Sequence, residues 1–198
     1  MKKVVLIILG LFLLVGCNSI DNTPKMKVEE LLNKYNSLSD EVLRDLDTKL
    51  VEANVDEALR EDMRDLYKKQ YKDMEYEILN EDINGDSATV EVKLTVYDFQ
   101  KQREEAEAYI DEHSEEFMTD NIIDDIKAQK YVIERQNETT DRKEETVTFE
   151  LEKNNGEWEV LDLNDEIIEK LHGTYANSTN TIDNTQENEN NENENIDQ

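Results

Sequence analysis

Two Asn-Gly pairs, Asn84-Gly85 and Asn155-Gly156, constrain this chain more than any other feature. Each stands between two runs in which apolar and polar residues alternate. Asn and Gly accept the positive φ values that a two-residue hairpin loop demands, and strict alternation is the period of a strand buried on one face. Before the first pair, Met74, Tyr76 and Ile78 alternate with Glu75 and Glu77. After it, Ala88, Val90, Val92, Leu94 and Val96 alternate with Thr89, Glu91, Lys93 and Thr95. Val147, Phe149 and Leu151 lead into the second pair, and Trp158 and Val160 lead out of it. The chain therefore commits to two antiparallel hairpins, each with an apolar face that needs cover.

Helices supply the cover. Val28, Leu31, Leu32 and Tyr35 fall at i, i+3, i+4 and i+7 and predict a helix over 24–36, with Pro24 in its first position behind a Thr23 cap. Ser39 or Asp40 caps a second helix carrying Val42, Leu43, Leu46 and Leu50. A third, over 55–72, shows Val55, Leu59, Met63, Leu66 and Tyr67. Residues 99–136 read as two helices that part at Thr119-Asp120, where Thr or Asp caps the second. Tyr109, Ile110, His113 and Phe117 mark one; Ile122, Ile126, Lys130 and Ile133 mark the other. Asn164 or Asp165 caps a last helix with Ile167, Ile168 and Leu171, which Gly173 ends.

The order α-α-α-β-β-α-α-β-β-α predicts an α+β domain, in which N-terminal helices pack on a curved antiparallel sheet of two hairpins separated by a helical insert. Over 24–172 this order is similar to the nuclear transport factor 2-like or cystatin-like cone fold of small Gram-positive lipoproteins. The resemblance implies a sheet curved around a long N-terminal helix, and a pocket between the two that some relatives use for ligands.

The ends of the chain are different material. Met1-Lys2-Lys3 is a short basic start, and Val4 to Val15 is apolar throughout with one Gly. As a helix this run reaches only about 18 Å, too short for a bilayer core of about 30 Å, so it reads as a secretory signal. Leu14-Val15-Gly16-Cys17 resembles the lipobox of bacterial lipoproteins. That resemblance implies a diacylglyceryl group on the Cys17 thiol and cleavage just before it. Residues 1–16 are then a signal peptide, and 17–23 a lipidated Cys with its tether. The chain would sit at the cell membrane facing the extracytoplasmic side, held by lipid chains that include palmitate. At the other end, 176–198 is an Asn/Glu-rich segment with no aromatic and no basic residue, which predicts a disordered tail. The α+β domain is expected over 24–175.

Composition excludes several functions. Lys plus Arg number 22 against 50 Asp plus Glu, a formal net charge of −28. Nucleic acid and anionic lipid headgroups repel such a surface. The single Cys rules out an intramolecular disulfide and a Cys-rich zinc site. Asp82-Ile83-Asn84-Gly85-Asp86-Ser87 superficially resembles a calcium loop, but its Gly stands too early and Lys93 occupies the place of the terminal acidic ligand. His113 and His172 belong to no spaced ligand set. His113 falls on an apolar helix face, and His172 in a last helical turn can favour the negative end of the helix dipole. Tyr76, Tyr97 and Asp98 are the candidates for the mouth of a cone-fold pocket, and Trp158 points inward by its register with Val160.

No catalytic residue, cofactor or metal ligand is expected; Cys17 is the one assigned site. The expected function is a non-catalytic interaction module, anchored to the membrane through Cys17, whose charge favours a cationic envelope protein or peptide. Two alternatives stand beside it. One is a small-ligand carrier or enzyme using the cone-fold pocket. The other is an immunity-type lipoprotein directed against a toxin or phage factor.

Overall fold

The computed structural model describes residues 22–172. The signal segment, Cys17, Gly173 and the tail over 176–198 lie outside the described residues.

Four of the strands form one antiparallel sheet in the order β1-β2-β5-β6: β1 is Glu75–Asn84, β2 Ser87–Tyr97, β5 Arg142–Asn154 and β6 Glu157–Val160. Its buried side chains are those the alternation marks, among them Val90, Val92, Leu94, Phe149, Leu151 and Trp158. They share one core cluster with residues of α1 (Pro24–Asn36), α2 (Asp40–Glu52), α3 (Glu57–Asp73) and α6 (Asp165–His172). The α+β class and the two hairpins stand as the sequence predicts, and the space between sheet and helices is filled by this core.

Local chemistry sets the helix boundaries. Thr23 accepts the Met26 N–H, Ser39 that of Val42 and Asp56 that of Ala58. Both α1 and α2 end in the same way. Leu38 and Asn54 adopt φ of 52° and 54°, and the following residue donates back across the last turn, Ser39 to the Lys34 carbonyl and Val55 to that of Leu50. This left-handed ending satisfies carbonyls the helix leaves open. It also brings Leu50 and Val55 together, both buried.

The first hairpin departs from expectation by one residue. Asn84 pairs with Ser87, so the loop is Gly85-Asp86, with positive φ at Gly85 alone, as a type II′ turn requires. The second hairpin does turn at Asn155-Gly156, both at positive φ. A bulge at Leu79 then alters the first strand: the register shifts between Ile78 and Asn80, so Glu81 pairs with the buried Val90. Turned to the helical side, the Glu81 carboxylate accepts the Lys25 N–H at 2.8 Å and caps α1.

The insert also holds more than two helices. α4 spans Phe99–Glu112 and α5 Asp125–Glu138, but a 3-10 turn over Ser114–Phe117 and a small hairpin lie between them. Its strands are β3 (Met118–Thr119) and β4 (Ile122–Ile123), turning at Asp120-Asn121, both at positive φ. Thr119-Asp120 therefore lies where β3 enters its turn and is not a helix cap; Asp124 caps α5 by accepting the Lys127 N–H. The expected apolar mark Ile122 is 72% exposed for the same reason. Ala106, Ile110, Phe117, Ala128 and Val132 form a second, smaller core within the insert.

Candidate functional site

Three tyrosines and a histidine meet where α1, α3 and α6 converge. Tyr67 and Tyr71 lie one helical turn apart on α3 and so share a face. Tyr35 on α1 meets the Tyr71 ring edge-on at 5.0 Å between centroids. His172, in the last turn of α6, packs against Tyr67 at 5.2 Å and Tyr71 at 5.4 Å. The Tyr71 hydroxyl and His172 Nε2 are hydrogen-bonded at 2.9 Å. Gln70 secures this arrangement from the neighbouring position. Wholly buried, it donates to the Leu171 carbonyl and accepts the Tyr97 N–H, joining α3, α6 and β2.

Burial controls the protonation of this group. It holds the His172 ring down at about 3, with help from the nearby Lys49 ammonium. It pushes Tyr35 up to about 12, followed by the carboxylates of Asp45 and Glu41. Tyr71 is raised well above an ordinary phenol, by burial first and then by Tyr35, Tyr67 and Asp45. All three groups are neutral at pH 7. A base that binds its proton only near pH 3 is poorly matched to general-base work at neutrality. The dyad thus presents hydrogen-bonding atoms, and the expected role of His172 as a cation at a helix end is corrected: the ring is buried and uncharged.

A cleft of about 240 Å³ opens beside it, between α2, α3 and α6. Leu46, Leu50, Val55 and Met63 supply apolar wall, and Tyr67 and His172 supply rings. Lys49, Glu52 and Asp165 stand among its lining residues as charged groups. This cleft is among helices, whereas the cone-fold resemblance places a pocket between sheet and helix.

The residues expected at that other pocket do not converge. Tyr76 donates to Asn33 Oδ1, Tyr97 donates to Asp73 Oδ2 at 2.8 Å, and Asp98 caps α4 through the Lys101 N–H. Tyr97 is a structural hub. Lys69 Nζ lies 4.2 Å and the Arg142 guanidinium 4.8 Å from its ring centre. Lys69 also donates to the carbonyls of Asn137 and Thr139, tying α3 to the end of the insert. His113 stacks on Tyr109 at 4.1 Å in the insert. Asp82–Ser87 is the hairpin described above, and among the described residues no group of three or more His, Cys, Asp or Glu could hold a metal ion. Trp158 is buried, as its register predicts.

The outer face of the sheet carries a different chemistry. Glu144, Thr148 and Glu150 on β5 are exposed and pair in register with Thr95, Glu91 and Thr89 on β2. Lys93 is held there between Glu77 at 2.8 Å and Glu144 at 3.7 Å.

No protein-family model and no curated protein matches the chain. Among solved structures it is similar to a "putative lipoprotein (ycdA)" of Bacillus subtilis subsp. subtilis strain 168, at 15% identity and a TM-score of 0.38. The match covers 77% of this chain and 50% of that one, so the chain spans half the length of that neighbour. At this level of superposition the neighbour's description stays with the neighbour. Among the described residues, no helix is long and apolar enough to cross a membrane.

Proposed function

We propose that the protein is a lipid-anchored extracytoplasmic lipoprotein, and that its α+β domain is a non-catalytic interaction module for a cationic partner. The Leu14-Val15-Gly16-Cys17 sequence carries this reading, with Cys17 the site of lipidation. Two acyl chains on that thiol are enough for stable anchoring without a basic surface. The likeness of element order to the cone fold of small Gram-positive lipoproteins belongs to the same proposal.

The position of Asn22 supports it. Asn22 donates to the Gly156 carbonyl at 2.8 Å and accepts the Trp158 N–H at 3.0 Å. The chain is thereby pinned to the β5–β6 hairpin only five residues after Cys17, a reach of about 18 Å at full extension. The open acidic face of the sheet suits a basic protein or peptide, and such a complex weakens as salt screens it.

Two measurements test the reading. Full-length protein produced in a Gram-positive host with an alkyne analogue of palmitate should take up the label and sediment with membranes. Cys17→Ala should do neither. An unlabelled wild-type protein overturns the anchor. Crosslinking in those cells should then capture a basic partner that is lost at high salt; a salt-indifferent complex overturns the electrostatic assignment.

A further inference from the structure

We propose that the cleft between α2, α3 and α6 is a binding site for a small uncharged aromatic molecule that carries one hydrogen-bond acceptor. This does not depend on lipid anchoring.

The size comes first. An apolar cavity of about 150 Å³ accommodates benzene. A cleft of about 240 Å³ has room for a ring with a short substituent, about nine or ten heavy atoms by the same proportion. Its form is built into the backbone. The left-handed Asn54 ends α2 and turns the chain into α3, which sets the Leu50–Val55 pair as one apolar wall. Met63 and the Tyr67 ring face the same space from α3. A thioether and aromatic rings favour an aromatic guest over an aliphatic one.

Charge follows from the lining. An anion would meet Lys49, but also Glu52 and Asp165, on a chain of net charge −28. A cation would have to leave water for a wall of Leu46, Leu50, Val55 and Met63. The occupant is therefore neutral.

The acceptor follows from hydrogen-bond accounting at His172. A neutral imidazole has one donor and one acceptor nitrogen. The Tyr71 hydroxyl is hydrogen-bonded to His172 Nε2 and meets no other acceptor among the described residues, so it gives its proton there. Nε2 is then the acceptor, and Nδ1 carries the hydrogen. That N–H has no acceptor among the described residues and is not sealed from solvent, on a ring that lines the cleft. A ligand carbonyl or ether oxygen would accept it in place of solvent.

The test uses the full chain in lipid nanodiscs with ¹³C-labelled methionine methyl groups. Acetophenone and cumene are titrated in turn, with free concentrations corrected by empty nanodiscs. The two probes have nine heavy atoms each, and only acetophenone has an acceptor. Acetophenone should shift the Met63 methyl resonance saturably and bind three- to tenfold more tightly than cumene. Leu50→Trp should abolish the shift by filling the wall, and His172→Phe should remove the preference between probes. No saturable shift with either probe on the folded wild-type chain overturns the site. Equal affinity of the wild type for both probes overturns the acceptor assignment, and needs no variant to fold.

Discussion

Replacing His172 with Phe tests what it costs to bury a neutral histidine in this fold. The ring titrates at about 3 in the folded chain against 6.5 when free. A depressed folded pKa means that the stability is fully present above about 6.5 and drains away as pH falls toward 3. In that interval the unfolded chain binds one more proton than the folded one. The slope is about 1.4 kcal/mol per pH unit, and the loss between pH 8 and pH 5 is about 2 kcal/mol. The wild-type curve alone does not isolate this quantity. Acidification also neutralises carboxylates on a chain of −28, which relieves self-repulsion and acts in the opposite direction. The difference between wild type and His172→Phe removes that shared background. Phe keeps the ring and leaves the Tyr71 hydroxyl without its partner, which adds an offset of about 1–3 kcal/mol that does not vary with pH. Urea unfolding followed by the fluorescence of Trp158, the single tryptophan, at pH 8, 7, 6 and 5 gives the two curves. The advantage of wild type over the variant should shrink by about 2 kcal/mol on acidification. A difference that stays constant to within about 0.5 kcal/mol would refute a buried neutral His172 and the tautomer built on it.

Asn22→Ala removes two hydrogen bonds that tie the chain entry to the β5–β6 hairpin, and should lower stability by about 1–2 kcal/mol while accelerating amide exchange at Trp158. Gln70→Leu strands the Tyr97 N–H; a loss of about 2–3 kcal/mol is expected in urea unfolding, with α6 the first element to exchange. Phe149→Ala empties a fully buried position in the middle of β5 and should cost about 3–5 kcal/mol, read as a lower urea midpoint with an unchanged slope. Gly156→Ala meets no atom within 4 Å of the new Cβ, so its expected loss of about 1 kcal/mol is due to the φ of 90° alone.

What the sequence discloses here depends on whether a signal is local. The hairpins are legible because alternation and turn residues act within a few positions, and the cap at Thr23 because its partner N–H is three residues away. The shift of the first turn to Gly85-Asp86 is not legible in the same way. It is fixed by the pairing of Asn84 with Ser87, and an Asn-Gly pair also fits the alternative register. The bulge at Leu79 has no marker in composition, since a β-branched or apolar residue there reads as one more step of the strand. The β3–β4 hairpin hides for another reason: Ile122 and Ile123 resemble the start of an apolar helix face, while the turn rests on two consecutive positive φ values at Asp120 and Asn121. The cleft is the least legible feature. Leu50, Tyr67 and His172 are each plausible core or helix-end residues by spacing, and only the packing of α2, α3 and α6 shows that they surround a space. The one usable trace is Tyr67 and Tyr71 on the same helical face, which places two hydroxyls among apolar neighbours and so requires a polar partner from elsewhere.

The attachment of Asn22 also gives an orientation to the proposed anchor. Asn22 holds the turn at Asn155-Gly156, and that turn lies beside the Gly85-Asp86 turn, since Lys153 donates its N–H to the Asp86 carbonyl. Both loops therefore occupy the end of the sheet that Asn22 joins, which the proposed anchor would bring nearest the lipid. From there β2 and β5 run paired through Ser87–Tyr97, eleven residues or about 37 Å, before the chain reaches the insert at Phe99. This end carries Asp86, Glu152 and Glu157, all exposed, so anionic headgroups would repel the loops that the proposed tether draws toward them. On that proposal a short covalent leash combined with like-charge repulsion would hold the sheet off the bilayer instead of flat upon it. The acidic outer face would then stay open along its length, which is the condition a cationic partner needs to dock from the side.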